Sequence, residues 1–227
     1  MSETQSGEVL SYRGGDGIEF KSYYASPAQP RCGVIMLRGV AGPDSGYTEI
    51  ADRLAAVGYA ALVHAWLVRG SDMDDATLVA DVQAAASFMH ARAELAGRPL
   101  AILGNCKGGG FGALAAARCP EIKAVVEFHG FARRPDGNPD TRRHPIDVVG
   151  DIKQPVLLLH GQNDQLSPVD GMREFAAALT RSGGAVDMHV YPEADHGFAV
   201  STHKGYRADA AGDSFTRAVD FLGRHFG

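Results

Sequence analysis

Apolar positions in this chain fall into short runs separated by longer stretches of helical period. Gly33–Leu37, Tyr59–Val63, Leu100–Leu103, Ala124–Val126 and Val156–Leu159 are compact and rich in Leu or β-branched residues, with Gly or Pro nearby. Such runs suit strands buried on both faces of a parallel sheet. Val186–Tyr191 alternates apolar and polar residues and reads as a strand nearer the sheet edge. Gly17–Tyr24 also alternates and is expected as an antiparallel edge strand. Helices are expected over Tyr47–Ala56, Asp75–Leu95, Phe111–Arg118, Val169–Arg181 and Ser214–His225. The first places Ile50, Leu54 and Val57 at helical spacing, with Gly58 as a stop signal. Pro120 closes the third.

Strand alternating with helix predicts an α/β fold, with a mostly parallel central sheet flanked by helices on both faces. The chain has 227 residues, which suits one domain over 1–227, with 1–8 as a flexible N-terminus. There is no internal repeat. Phe131–Asp151, rich in Arg, Asp and Pro, is too short for a cap domain and is expected as a loop beside the site.

Charge narrows the function. The formal net charge is -5, from 22 basic and 27 acidic residues. That balance argues against a nucleic-acid partner, which asks for a basic stripe. No apolar run approaches the ~20 residues that cross a bilayer, so no membrane association is expected. The N-terminus lacks the pattern of a signal peptide, and a cytoplasmic location is expected. Cys32, Cys106 and Cys119 are too few and scattered for a disulfide framework. No metal is expected, because the 9 histidines show no metal-ligand spacing. A monomer or small homo-oligomer is anticipated.

The stretch Ile102–Gly110 runs from an apolar strand into a Gly-rich turn and a helix of small residues. That is the context of a nucleophile elbow, where a tight turn lifts one side chain above the sheet. Here the side chain is Cys106, at a helix N-terminus that favours a thiolate. The backbone N–H of Lys107 points toward the same space as an oxyanion donor. Taken alone, the turn is equally a structural strand–helix junction carrying a buried cysteine. The Walker phosphate-loop spacing is absent. Two further strand ends carry polar groups: Asp164 in His160–Asp164, and His196 in Tyr191–Phe198. Separately these read as a helix cap and a surface turn. Together, the order nucleophile, acid, histidine is that of an α/β-hydrolase. Asp164 then orients His196, which serves as base. Glu127 and His129, after Val126, are further candidates near the site. Cys32 and Cys119 read as structural.

These motifs carry a resemblance. From about Gly17 onward the chain resembles the dienelactone hydrolases, α/β-hydrolases with a cysteine nucleophile. The motifs are G-x-C-x-G-G at Gly104–Gly109, H-G-x-x-D at His160–Asp164 and D-H-G-F at Asp195–Phe198. The resemblance implies an α/β-hydrolase fold and a triad of Cys106, Asp164 and His196. It implies a second oxyanion donor at the Val40 N–H, a small ester or lactone substrate and no cofactor. It also implies substrate contacts from Arg69, to which the sequence adds Arg38 and Phe198 as candidates.

Two family positions differ. The glutamate that restrains the family's cysteine aligns with Gly39, and one arginine of the family's carboxylate clamp aligns with Val200. Without the glutamate, Cys106 is expected to rest as a thiolate paired with protonated His196. The expected reaction is ester or lactone hydrolysis through an acyl-enzyme. The alternatives are a thioesterase or broad carboxylesterase on the same fold, and a catalytically inactive small-molecule binding protein.

Overall fold

In chain order the elements are β1 (Glu8–Arg13), β2 (Glu19–Ala25), β3 (Gly33–Leu37), α1 (Ser45–Ala56), β4 (Ala60–Val63), α2 (Asp75–His90), β5 (Leu100–Asn105), α3 (Lys107–Ala116), β6 (Ile122–Phe128), β7 (Val156–Gly161), α4 (Val169–Arg181), β8 (Val186–Tyr191) and α5 (Ala208–Phe226). They come from a computed structural model that describes residues 7–42 and 44–227. The strands form one sheet in the order β1-β2-β4-β3-β5-β6-β7-β8. From β4 to β8 every neighbouring pair is parallel; β1 with β2 and β2 with β4 are antiparallel. This is the α/β fold that the alternation predicts, in the α/β-hydrolase form that the resemblance implies.

Each residue of β3, β4, β5 and β7 is buried, which explains why these strands are continuously apolar rather than alternating. One face of the sheet is covered by α2, α3 and α4, through residues such as Leu78, Val82, Phe111, Met172 and Phe175. The other is covered by α1 and α5, through Ile50, Leu54, Phe221 and Leu222. The chain steps from β3 to β4 on one side, then crosses to β5 on the other. Strand order therefore reverses between β3 and β5. A reversal of this kind opens a crevice at the carboxyl ends of the strands, where α/β folds place their sites.

Several boundaries differ from the sequence reading. Gly17–Tyr24 is antiparallel but not at the edge, because β1 lies outside it. In β1, Tyr12 turns inward and Val9 outward, so a short amphipathic strand covers the expected edge. The strand begins at Glu8, inside the segment expected to be flexible; positions 1–6 of that segment lie outside the described residues. The long helix expected over Asp75–Leu95 stops at His90, and a 3-10 turn follows at Ala93–Leu95. Arg92 between them is extended, with its guanidinium on Glu94 at 2.7 Å and over the Tyr24 ring. α3 starts at Lys107 rather than Phe111, taking the glycine run into the helix. α5 begins six residues before Ser214.

Candidate active site

Cys106 is the residue between β5 and α3, with φ 54° and ψ -123°. A positive φ is costly for a residue with a Cβ and persists only where the surroundings enforce it. Two contacts do so. The Cys106 N–H donates to the Phe128 carbonyl at 3.0 Å, extending the β5–β6 ladder past the strand end. Behind it α3 is pressed onto the sheet: a Cβ on Gly108 would overlap the Leu37 carbonyl, and one on Gly104 would lie 2.6 Å from the Gly109 Cα. Glycine at 104 and 108 is thus required by close backbone approach. The sharp turn leaves the Cys106 side chain partly exposed above the sheet, at the helix N-terminus.

Asp164 and His196 reach the same end of the sheet from the loops after β7 and β8. The Asp164 carboxylate is buried. Its Oδ1 accepts the N–H groups of Leu166 at 2.9 Å and Ser167 at 2.8 Å, and its Oδ2 lies 2.7 Å from His196 Nδ1. With Asp164 ionised, Nδ1 carries the proton and donates. Nε2 is then left without a hydrogen-bond partner of standard geometry, with Cys106 as its neighbour. Burial disfavours the charged imidazole, but contact with Asp164 and Cys106 outweighs it and raises His196 to about 9. Asp164 also sits 3.6 Å from His160 Nε2, which donates to the Ser167 carbonyl at 2.7 Å.

His129 packs edge-on against His196, with ring centroids 4.8 Å apart. It is fully buried, holds φ 38°, and burial drives it well below the ordinary imidazole value, so it stays neutral. It forms an uncharged wall for His196. Glu127 lies on the opposite face, beneath α3 and against Gly109 and Gly130.

Above Cys106 and His196 lies a cavity of about 650 Å³, walled by Val40, Phe131, Ala132, Pro135, Leu166 and Pro168. The Phe131–Asp151 segment supplies one side of it, as expected of a loop beside the site. Lys107 is the first residue of α3, so its N–H has no acceptor within the helix. Its ammonium lies 3.1 Å from Asp136 and 3.3 Å from Asp72. Among the described residues, no group of three His, Cys, Asp or Glu side chains is placed to hold a metal. No helix among them is long and apolar enough to cross a membrane.

The three side chains named from sequence as substrate contacts lie elsewhere. Arg69 grips Asp81 at 2.7 Å and also Asp16, beside the antiparallel strands. Arg38 turns back on its own loop, donating to the carbonyls of Gly39 at 3.0 Å and Gly42 at 2.6 Å and pairing with Asp44. Phe198 is fully buried between Tyr191 and His129. Adjacency in sequence misleads at Phe198, because the turn after His196 sends its ring into the core. Val200, at the family's arginine position, is likewise buried, and its Cγ1 fills the space beside Gly46.

Two residues at the site's edge carry no sequence signal. Tyr47 occupies an apolar position of α1 and is fully buried, yet its hydroxyl accepts the Gly39 N–H at 3.2 Å. His203 meets that hydroxyl at 3.2 Å.

Comparison with known proteins agrees with this fold. The model of the dienelactone hydrolase family matches residues 20–226. A Methylorubrum extorquens protein named "putative carboxymethylenebutenolidase" is 31% identical over 93% of this chain and 78% of its own. A crystal structure titled as a putative dienelactone hydrolase from Klebsiella pneumoniae superposes with a TM-score of 0.84 at 27% identity, over 95% of this chain and 99% of that one. A Thermogutta terrifontis esterase shares the fold, with a TM-score of 0.76 at 20% identity over 98% and 95% of the two chains. The chain therefore belongs to the dienelactone hydrolase family of ester and lactone hydrolases.

Proposed function

We propose that the protein hydrolyses a small uncharged ester or lactone through a Cys106 acyl-enzyme. The observation that carries this reading is the 2.7 Å contact from His196 Nδ1 to Asp164, which leaves Nε2 free on the Cys106 side. Cys106 Sγ, having given its proton to His196, attacks the carbonyl carbon and forms a carbon–sulfur bond. The tetrahedral oxyanion is held by the N–H groups of Val40 and Lys107, each donor commonly worth ~3 kcal/mol. Collapse expels the alkoxide, which takes the proton from His196 Nε2. His196, again neutral, then removes a proton from water as that water attacks the thioester. The acid leaves, and the thiol is restored. Asp164 fixes the tautomer and stabilises the imidazolium.

Pairing of the cations supports an uncharged substrate. Lys107 and Arg133 both line the cavity. Lys107 is held by Asp72 and Asp136, and Arg133 by Glu174 through two contacts of 2.7 Å. A substrate carboxylate would have to break one of these pairs, whereas an apolar acyl group finds Phe131, Pro135 and Leu166. The test is turnover of p-nitrophenyl butyrate against p-nitrophenyl hemisuccinate, with Cys106→Ala alongside and intact mass recorded. We expect an acyl adduct on Cys106, at least about tenfold preference for butyrate, and no turnover by the variant. Turnover that survives Cys106→Ala defeats the mechanism. Preference for the hemisuccinate defeats only the substrate class.

A further inference from the structure

The loop that carries the Val40 N–H is tied down by groups that the reaction itself does not use. The fully buried Tyr47 hydroxyl accepts the Gly39 N–H at 3.2 Å. His203 Nε2 lies 3.2 Å from that hydroxyl and 3.2 Å from the Ala41 carbonyl. Val40 stands between these two anchored residues. From above, the Arg38 guanidinium lies 4.8 Å from the Tyr47 ring centre and binds the carbonyls of Gly39, Ala41 and Gly42. His203 also reaches the other half of the site. A Cβ on Gly197, the residue after His196, would lie 2.5 Å from His203 Nδ1, and one on Gly42 would lie 2.8 Å from its Nε2. One imidazole thus packs between the loop that holds the base and the loop that holds the oxyanion donor.

The space is closed as well as bonded. A Cβ added at Gly39 would be 3.0 Å from Cys106 Cβ and 3.0 Å from the Tyr47 hydroxyl. The hydroxyl and the nucleophile's own carbon therefore crowd one point from two sides. A side chain at position 39 fits only if the Tyr47 hydroxyl or the Cys106 carbon gives way by a few tenths of an ångström.

Resting on the acyl-enzyme reading, we propose that Tyr47 and His203 form a brace that sets the Val40 N–H against Cys106 and His196. They are positioning residues and touch no reacting atom. Tyr47 fixes the residue before Val40, and His203 fixes the residue after it. Because His203 also packs on Gly197, a shift of the His196 loop carries the oxyanion donor with it. A donor displaced by about 1 Å can cost on the order of 10²-fold in rate.

The test uses a reaction with no oxyanion as its control. Tyr47→Phe and His203→Ala are assayed for kcat and KM on p-nitrophenyl butyrate, and for the rate of Cys106 alkylation by iodoacetamide. Alkylation needs the sulfur nucleophile but builds no tetrahedral oxyanion. The brace predicts a loss in kcat of about 10- to 100-fold, in line with partial loss of one oxyanion donor, with KM and alkylation within about twofold of wild type. The double variant should fall no further than the worse single one, since both break the same brace. His203 is half-exposed, so His203→Ala carries the test if the buried Tyr47→Phe fails to fold. Unchanged kcat overturns the brace. So does alkylation that falls in step with kcat, because Tyr47 and His203 would then act on the cysteine. Wild-type protein that turns over no ester overturns the hydrolase reading beneath it.

Discussion

Gly39 and Tyr47 are complementary: the Tyr47 hydroxyl accepts the Gly39 N–H at 3.2 Å, and it lies 3.0 Å from where a Cβ at 39 would stand, a tight contact. Gly39→Ala should therefore lower kcat, by about tenfold, through displacement of the neighbouring Val40 N–H. Adding Tyr47→Phe removes the crowding hydroxyl while deleting its bond. The two changes should then combine to less than the product of their separate losses. A double-mutant cycle on kcat measures this, and strict multiplicativity would mean that the two residues act independently.

Asp164 presents one oxygen to two backbone donors and the other to His196. In Asp164→Asn, the amide oxygen keeps the backbone bonds and the amide NH2 faces Nδ1. The imidazole then carries its proton on Nε2 and is no longer a base toward Cys106. We expect kcat/KM to fall on the order of 10³-fold with the fold retained. Steady-state kinetics with a circular dichroism check decides it.

His196 gives a signed pH dependence. Its pKa is about 9 in the folded protein against 6.5 for the free side chain. The folded state therefore binds the proton more tightly. The resulting stabilisation is fully present below pH 6.5 and is lost as pH rises through about 9. Urea midpoints between pH 6 and 10 should fall more steeply in wild type than in His196→Gln. Parallel curves would show that His196 is not held protonated.

Glu127 acts over a lower window. Complete burial, opposed only weakly by the Phe131 N–H, raises its carboxyl from 4.5 to about 8. Neither carboxyl oxygen has a hydrogen-bond partner of standard geometry. The folded protein holds the protonated acid, so stability is lost as pH climbs from about 4.5 to 8 and is level above that. Glu127→Gln lacks this loss. Its stability relative to wild type should rise across that window by roughly 1.4 kcal/mol per pH unit, several kcal/mol in all. Chemical denaturation at pH 5 and pH 8.5 separates the two, and a constant difference between the pH values would contradict the assignment.

Much of this molecule is written in local pattern. Strands buried on both faces must be continuously apolar, so β3, β4, β5 and β7 announce themselves, and the alternation with helices fixes the fold class. The elbow is legible for the same kind of reason. Only glycine allows α3 to press on Leu37 and the end of β5, so Gly104 and Gly108 mark Cys106 from the sequence alone. Asp164 and His196 follow strands directly, and a polar residue just past a strand end already lies at the crevice.

Side-chain direction in loops was not legible, because it depends on partners distant in the chain. Arg69 is taken by Asp16, 53 residues away, and by Asp81. Arg38 folds back on the Gly39, Ala41 and Gly42 carbonyls of its own loop, and Phe198 turns into the core. Nothing local distinguishes an arginine that meets a substrate from one neutralised by an aspartate on another element. Tyr47 and His203 stand 156 positions apart, one on an apolar helix face and one in a polar turn. Sequence determined the sheet, the elbow and the order of the polar strand ends. Only the packing of α1 and the His196 loop over β3 decided which side chains hold the Gly39–Gly42 loop, since a hydrogen bond between distant residues exists only once the core has brought them together.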